Sequence, residues 1–452
     1  MHISEHQKPA PAKLLDRLKE IFWFLAIVNL LSVLTGSLVA FFLWSLDLLT
    51  RLHWAYPWLL FVLPLAGVLT YLMYHFVSKE SDGGNHLIFD RVRNPSDRPK
   101  VPIALAPLVL IGTLLTHLCG GSAGREGTAV QMGCSIAGWF LRFVRREDEW
   151  MRTLILCGIS AGFGAVFGTP IAGAVFALEV LWLGRSGMFR IAPCLIAGFV
   201  AHYVVLWWGI EHSAFLLPSL AESPADNFVT SERLSFPLMN IVSGSKVIVA
   251  AAAFGLISIL FAETSHGVNR LLKRFISRAW FRPFVGGCLL ILFTTLLGTR
   301  DYSGIGVDPN PNQVRTVSIV SSFETNGAVT LSWFWKLLAT SITVGSGFKG
   351  GEVTPLFFVG ATAGNTLGHW LNFPVDLMAA IGFVAVFAGA TKTPIACSIM
   401  AIELFMPFNP SFVSSGFIVY VAVGCGIARI TSGTSSVYRS LWHVNQVPKE
   451  TG

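Results

Sequence analysis

The chain has 452 residues, of which 53% are hydrophobic and only 13% are charged. A soluble protein of this length carries about 25% charged residues, so the composition excludes an ordinary soluble globular protein. The net charge of +7 comes without a clustered basic face, which excludes a nucleic-acid-binding protein.

Uncharged apolar segments recur along the chain, and a membrane-spanning helix needs about 20 such residues. Several segments reach that length, whereas others are short and interrupted by glycine or proline. The pattern predicts an all-α polytopic membrane protein. The segments are Ile21–Leu46, Pro57–Met73, Val101–Leu118, Ile191–Gly209, Val247–Phe261 and Phe284–Leu297.

The first 20 residues are polar and basic, and no small-residue cleavage site follows them. We therefore predict residues 1–20 as a cytoplasmic segment rather than a cleaved signal, since basic residues favour the inner side. After two predicted spans a second basic stretch agrees with this orientation, with Arg91, Arg93, Arg98 and Lys100.

The polar residues do not form an enzyme pattern. No HExxH, no Ser/His or paired-Asp arrangement in the apolar blocks and no GxxxxGK[ST] phosphate loop occurs, so we predict no enzyme and only secondary transport. Six cysteines at irregular spacing in apolar sequence favour small buried residues over disulfides or metal ligands. We predict no metal and no cofactor. These cysteines are Cys134, Cys157, Cys194, Cys288, Cys397 and Cys425.

An internal repeat is visible in short blocks that share one offset. "GTPIAGAVFALEVL" matches "KTPIACSIMAIELF", and their prolines, Pro170 and Pro394, are 224 positions apart (394 − 170). The same offset aligns "GSAGREG" (121–127) with "GSGFKGG" (345–351). Several glycine- and proline-rich blocks with one offset argue against a chance match.

The repeat predicts two transmembrane halves, over residues 21–210 and 245–440, joined by a polar connection over 211–244 and followed by a tail over 441–452. Repeated halves with interrupted apolar segments at matching positions point to a transporter whose site lies between the halves. The sequence alone leaves open whether the repeats are inverted or parallel.

The two glycine-rich blocks predict an anion site. Glycines ahead of a helix let the backbone approach a ligand, and the first helical N–H groups attract an anion. The blocks lead into helix starts predicted at Gly127–Gln131 and Val353–Phe358. Gly124, Arg125 and Gly127 in the first block are candidate anion-binding residues.

Glu126, in the first block, is a candidate for coupling the anion to a proton. As a carboxylate it competes with an anion for the same N–H groups, and protonation releases it. The alternative is an ion pair with Arg125 in a loop, without a role in transport.

Other polar residues allow more than one interpretation. Glu352 heads an uncharged run and is a proton-transfer group, a helix-start acid or an ion-pair partner of Lys349. Asn85 either donates to an anion or caps a helix. Glu179 and Glu403, at matching ends of the repeat, are predicted to be structural or interfacial.

The blocks resemble the CLC family of anion channels and transporters over nearly the whole chain. "GREG" resembles its GREGP motif, "GSGFKGGEVTP" its GGxFxP segment, and "GGN" at 83–85 lies where the family carries GSGIP. The resemblance implies inverted repeats with re-entrant or broken helices, a homodimer and Glu126 as the gating glutamate. It also implies that Tyr438, by position alone an interfacial aromatic, donates its hydroxyl to the anion.

Four departures from those motifs are similar to the family's fluoride/proton antiporter branch. Thr128 replaces the proline of GREGP, and Asn85 replaces the serine of GSGIP. Val180 stands where exchangers of the family often carry an inner glutamate. Glu352 with Thr354 then supplies a proton or fluoride route in its place, and Asn85 takes the selectivity position.

The resemblance thus implies an antiporter in a bacterial inner membrane that exports fluoride in exchange for protons and gives fluoride resistance. Phe89, one helical turn beyond Asn85, is the candidate for an aromatic edge that contacts fluoride. The alternative is a chloride/proton antiporter or chloride channel of the same fold. The expected partners are the fluoride ion, the proton and the lipid bilayer, with no nucleic acid.

Overall fold

A computed structural model describes residues 10–93, 101–143, 148–181, 188–221, 241–307, 316–409 and 416–438. Residues 1–9 of the predicted cytoplasmic segment, most of the polar connection, and the predicted tail lie outside these ranges. So do Arg98 and Lys100 of the second basic stretch.

The described chain is a succession of helices. The first half holds α1 (Ala10–Ala55), α2 (Leu63–Val77), α3 (Gly84–Arg93), α4 (Leu105–Leu118), α5 (Glu126–Phe140), α6 (Asp148–Phe167), α7 (Pro170–Glu179) and α8 (Ile191–Trp207). The second half holds α9 (Ile241–Phe275), α10 (Phe281–Leu297), α11 (Ser332–Gly345), α12 (Val353–Leu371), α13 (Val375–Thr391), α14 (Pro394–Phe405) and α15 (Phe417–Thr431).

All six predicted apolar segments fall on helices, and α1 already begins at Ala10, inside the segment predicted as cytoplasmic. Within the described ranges, five helical segments are long and apolar enough to cross a membrane, and several apolar helices are shorter. A short helix that ends inside the membrane leaves free backbone groups there, which is tolerated where they are buried in protein or line a cavity.

The helices recur in the same order in both halves. A shift of 224 positions carries α4 to α8 onto α11 to α15 within three residues at each end, except that α12 runs seven residues beyond the shifted end of α5 (371 − 364). Both α7 and α14 begin at a proline, whose fixed φ suits the first helical position. The repeat read from short sequence blocks therefore extends to whole helices.

Two glutamates bind α7 and α14 to each other reciprocally. Glu403, near the end of α14, accepts hydrogen bonds of 2.9 and 2.7 Å from the second and third residues of α7. Glu179, at the end of α7, accepts hydrogen bonds of 3.0 and 2.7 Å from the second and third residues of α14. The two helices are therefore antiparallel, which makes the repeats inverted, and the structural interpretation of both glutamates is confirmed.

Glycines bring neighbouring helices into backbone contact. A Cβ on Gly133 of α5 would overlap the carbonyl oxygen of Gly158 on α6, and a Cβ on Gly360 of α12 would overlap that of Gly382 on α13. Such small residues allow close packing where no water drives helices together. Each glycine-rich block is thereby carried on a closely packed helix pair.

The prediction of buried cysteines holds for five of the six, and Cys288 is the exception. It is exposed on α10, whose buried positions include Gly286, Gly287 and Leu290. Apolar sequence did not distinguish these cases, because lipid accepts a small apolar side chain as readily as a protein core does.

Candidate functional site

The two glycine-rich blocks touch each other between the two halves. The N–H of Gly124 donates to the carbonyl of Gly351, and the N–H of Gly351 donates to the carbonyl of Gly124, both at 2.6 Å. A Cβ on Gly351 would lie 2.8 Å from the nitrogen of Gly127, so only glycine allows this approach. The two helix starts that follow the blocks are therefore neighbours.

The helix starts lie close to their predicted positions. Helix α12 begins at Val353 as predicted, and α5 begins at Glu126, one residue earlier than predicted. The first N–H groups of a helix have no partner within it and favour a negative charge. The geometry thus offers backbone donors to an anion.

The carboxyl group of Glu126 occupies these donors. It accepts hydrogen bonds of 3.1 Å from the N–H of Arg125 and from the N–H of Thr354, and the Thr354 hydroxyl donates to its other oxygen. The side chain is 1% exposed. Glu126 therefore reaches from the start of α5 to the start of α12.

The loop ion pair considered for Arg125 and Glu126 is a minor contact by comparison. The Arg125 Nε lies 3.9 Å from the nearer carboxyl oxygen, and its side chain is 20% exposed. The shorter contacts of Glu126 are to the N–H of Arg125 and to Thr354 in the opposite half. The carboxyl group is thus held by the backbone of its own loop and by Thr354 across the interface of the repeats.

Glu352 lies directly before α12 and reaches toward a different neighbour. Its side chain makes no capping hydrogen bond, and Ser265 on α9 donates to its Oε1 at 3.3 Å. Lys349 pairs with Asp82 at 2.6 Å and lies over the ring of Tyr74, so it is not the ion-pair partner of Glu352. The ion pair with Lys349 is therefore not formed, whereas the position of Glu352 directly before α12 agrees with the helix-start alternative.

Asn85, on α3, lies beside Gly127 of the first glycine-rich block. It is the second residue of α3, and its Nδ2 is 3.5 Å from the place a Cβ on Gly127 would take. Its buried Oδ1 has no hydrogen-bond partner. Capping requires Oδ1 to accept a backbone N–H, so the capping interpretation is not supported.

Phe89 and Tyr438 meet edge to face. Their ring centroids are 5.0 Å apart at an interplanar angle of 73°, and both side chains are buried. The sequence-based view of Tyr438 as an interfacial aromatic is therefore wrong, because the preceding turn folds back onto α13. Glu126 and Glu352 both lie near enough to act electrostatically on the Tyr438 hydroxyl.

An aromatic-walled cavity adjoins Glu126, with Arg125, Thr354 and His212 also on its wall. Sequence reasoning missed His212, which lies in the polar connection, and Ser265, which lies in an apolar helix without a motif. The apolar walls are formed by Phe167, Phe215, Val307, Ile319, Phe357, Phe383 and Leu404.

Together the fold and this site define a membrane transport protein built from two inverted repeats, with a carboxyl group at the place where backbone donors converge. A model of the voltage gated chloride channel family matches residues 66–433. The chain belongs to this family, and the resemblance inferred from the motifs is confirmed. It is an integral membrane protein of an ion channel and transporter family.

Relatives agree with this assignment. The chain is 40% identical over 426 residues to a "Chloride/fluoride channel protein" of Pseudomonas syringae pv. tomato, covering 94% of this chain and 88% of that one. It is similar to a crystal structure of a CLC-type fluoride/proton antiporter, with a TM-score of 0.80, 32% identity, and coverage of 94% and 98%.

The fold extends to more distant proteins. A slow cyanobacterial Cl⁻/H⁺ antiporter aligns with a TM-score of 0.72 at 18% identity, over 95% of this chain and 99% of the other. At that identity the likeness concerns the fold alone. The predicted all-α architecture with broken helices is the one that the structure shows.

Proposed function

We propose that the protein exports fluoride in exchange for protons across the bacterial inner membrane and thereby gives fluoride resistance. The observation that carries the proposal is the carboxyl group of Glu126, held by the N–H and hydroxyl of Thr354 at the start of the opposite half. The likeness to a CLC-type fluoride/proton antiporter supports the choice of ions.

The coupling follows from competition at one set of donors. A carboxylate and an anion are both acceptors, so Glu126 and fluoride exclude each other at the start of α12. A proton neutralises Glu126 and weakens its hold on these donors, since hydrogen bonds to charged groups are the stronger ones. Entry of the anion is thereby tied to uptake of a proton.

Asn85, Phe89 and Tyr438 are proposed to line the site beside Gly127. Fluoride is small and strongly hydrated, so a site that strips its water must replace that water with good donors. The amide of Asn85 and the hydroxyl of Tyr438 offer such donors, and the positively polarised ring edge of Phe89 offers a weaker contact. The donor of that amide, Nδ2 of Asn85, lies 3.5 Å from the place a Cβ on Gly127 would take, which supports placing it beside the first block.

Glu352 is proposed to carry the proton on the part of its route beyond Glu126. It lies immediately before the helix whose first turn holds Glu126, and its contact is a hydroxyl rather than a cation. Thr354, which holds the Glu126 carboxyl group, is two residues beyond Glu352 in the chain. Two further parts complete the proposal: a homodimer, which the family resemblance implies, and a cytoplasmic N terminus, which the basic first residues favour.

Purified protein in liposomes tests the proposal. Fluoride and chloride gradients are imposed in turn while anion efflux and internal pH are followed. We expect faster efflux of fluoride than of chloride, with proton movement in the opposite direction. A fluoride to chloride ratio near one would refute the fluoride assignment and favour a chloride transporter of the same fold, and fluoride efflux without proton movement would refute exchange.

A further inference from the structure

The turns that lead into α7 and α14 each contain a residue with left-handed backbone, but the residue type differs between them. Gly168, with φ of +75°, precedes the Thr-Pro that starts α7, and its repeat counterpart before α14 is Lys392, with φ of +68°. Left-handed backbone suits glycine and strains other residues. Across the described ranges, Asn372 is the other non-glycine residue with positive φ. The second half thus keeps a lysine where the backbone favours glycine.

The Lys392 ammonium is buried at the meeting point of two helix ends. The side chain is 0% exposed, and Nζ donates to the carbonyl of Ser432 at 3.0 Å and to its hydroxyl at 2.6 Å. Lys392 itself follows the last residue of α13, and Ser432 follows the last residue of α15. Carbonyl ends of helices attract a cation, which offsets part of the cost of burying it.

Ser432 opens the turn that carries Tyr438. The same turn is anchored a second time at the end of α13, where the Ser436 hydroxyl and the next N–H donate to the carbonyl of Ala390 at 2.8 and 3.1 Å. Lys392 therefore fixes one end of a short turn whose other end presents the tyrosine to the pathway. In the first half Gly168 has no side chain to play this part.

We propose that Lys392 is a positioning residue that holds the 432–438 turn and so sets the place of the Tyr438 hydroxyl. The inference rests on the proposed role of Tyr438 in the anion site. A lysine is suited to this task because one ammonium donates at once to the carbonyl and the hydroxyl of Ser432.

A double-mutant cycle, with transport measured in liposomes, tests whether Lys392 and Tyr438 are coupled. Lys392→Gly retains the left-handed backbone and removes the ammonium, and it is compared with Tyr438→Phe and with the double variant. We expect fluoride efflux to fall about fivefold in Lys392→Gly, and to fall no further when the change is made in Tyr438→Phe. Asn372→Gly, the matched change at the other left-handed position, leaves efflux unchanged.

Equal losses from Lys392→Gly in both backgrounds, or no loss in either, would overturn the proposal. Should Lys392→Gly fail to give a well-behaved protein, Ser432→Ala removes the accepting hydroxyl from the opposite side. Ser432→Ala is then combined with Tyr438→Phe. We expect a loss of efflux that does not recur in the Tyr438→Phe background, and equal losses in both backgrounds or no loss in either would overturn the proposal.

A second readout does not depend on transport. The protein is labelled with 3-fluorotyrosine, and the ¹⁹F resonance of Tyr438 is assigned as the one lost in Tyr438→Phe. We expect the Lys392 or Ser432 substitution to shift or broaden this resonance, and an unchanged resonance overturns the proposal. If wild-type protein moves chloride at the same rate as fluoride, the proposed fluoride assignment fails. The ¹⁹F resonance still tests whether Lys392 sets the position of Tyr438.

Discussion

Glu126 and Glu352 belong to matching glycine-rich blocks, yet their carboxyl groups reach in different directions. Glu126 reaches across to Thr354, whereas Glu352 reaches away to Ser265. The repeat counterpart of Glu352 is Thr128 (352 − 224), whose hydroxyl lies 2.7 Å from that of another threonine on α4. The two inverted repeats supply equivalent backbone N–H donors, but their acidic side chains do not occupy equivalent positions. Two carboxyl groups in different environments are what a directional proton route needs.

Removing the carboxyl that spans the two halves should have the largest effect. Glu126→Gln keeps the shape of the side chain but no longer takes up or releases a proton. We predict that proton movement coupled to the anion gradient is abolished, since no titratable group then competes with the anion for the N–H of Thr354. Internal pH of liposomes is followed while a fluoride gradient is imposed. Glu324→Gln, at an exposed glutamate, serves as the control, and wild-type proton movement in Glu126→Gln would refute the coupling hypothesis.

The second carboxyl should be required for turnover and not for folding. In Glu352→Gln we predict a protein that behaves normally on a sizing column and shows little fluoride efflux. Ser265→Ala removes only a hydrogen bond of 3.3 Å to the same group, so a loss of about twofold to fivefold is expected there. Unimpaired efflux in Glu352→Gln would return this residue to a purely structural role.

The contrast between the two acids also marks what the sequence predicts and what it does not. The offset of 224 and the glycines fixed the helix starts, because backbone approach and free N–H groups are local properties. The direction in which Glu352 reaches depends on Ser265, a residue without a motif in a distant helix. Tyr438 was misjudged from sequence because its burial results from a turn that packs on another helix. Local chemistry was readable from the sequence, and side-chain contacts between distant helices and turns were not.

Asn85 sharpens the comparison, because it lies beside Gly127 of the first block. The backbone donors of both blocks serve any halide, so discrimination falls to side chains that surround the ion. We predict that Asn85→Ser lowers the ratio of fluoride to chloride efflux by about fivefold, the worth of roughly one hydrogen bond. The ratio is measured in liposomes for both proteins. A high ratio that Asn85→Ser leaves unchanged would move selectivity to Glu352, Thr354 and the neighbouring phenylalanines.

The smallest effect should come from the part of the molecule where the halves remain equivalent. Glu179 and Glu403 each accept two backbone N–H groups at the start of the opposite helix, with bond lengths that differ by 0.1 Å at most between the two sites (3.0 − 2.9). A glutamine keeps one acceptor and loses the charge, so Glu179→Gln and Glu403→Gln should each cost about 1 kcal/mol. In detergent we expect apparent unfolding temperatures lowered by about 2 °C, equally in both variants, with fluoride efflux unchanged. Unequal decreases in the unfolding temperature would mean that the two sites match in geometry but not in their contribution to stability. A loss of fluoride efflux in either variant would place that glutamate in the transport route.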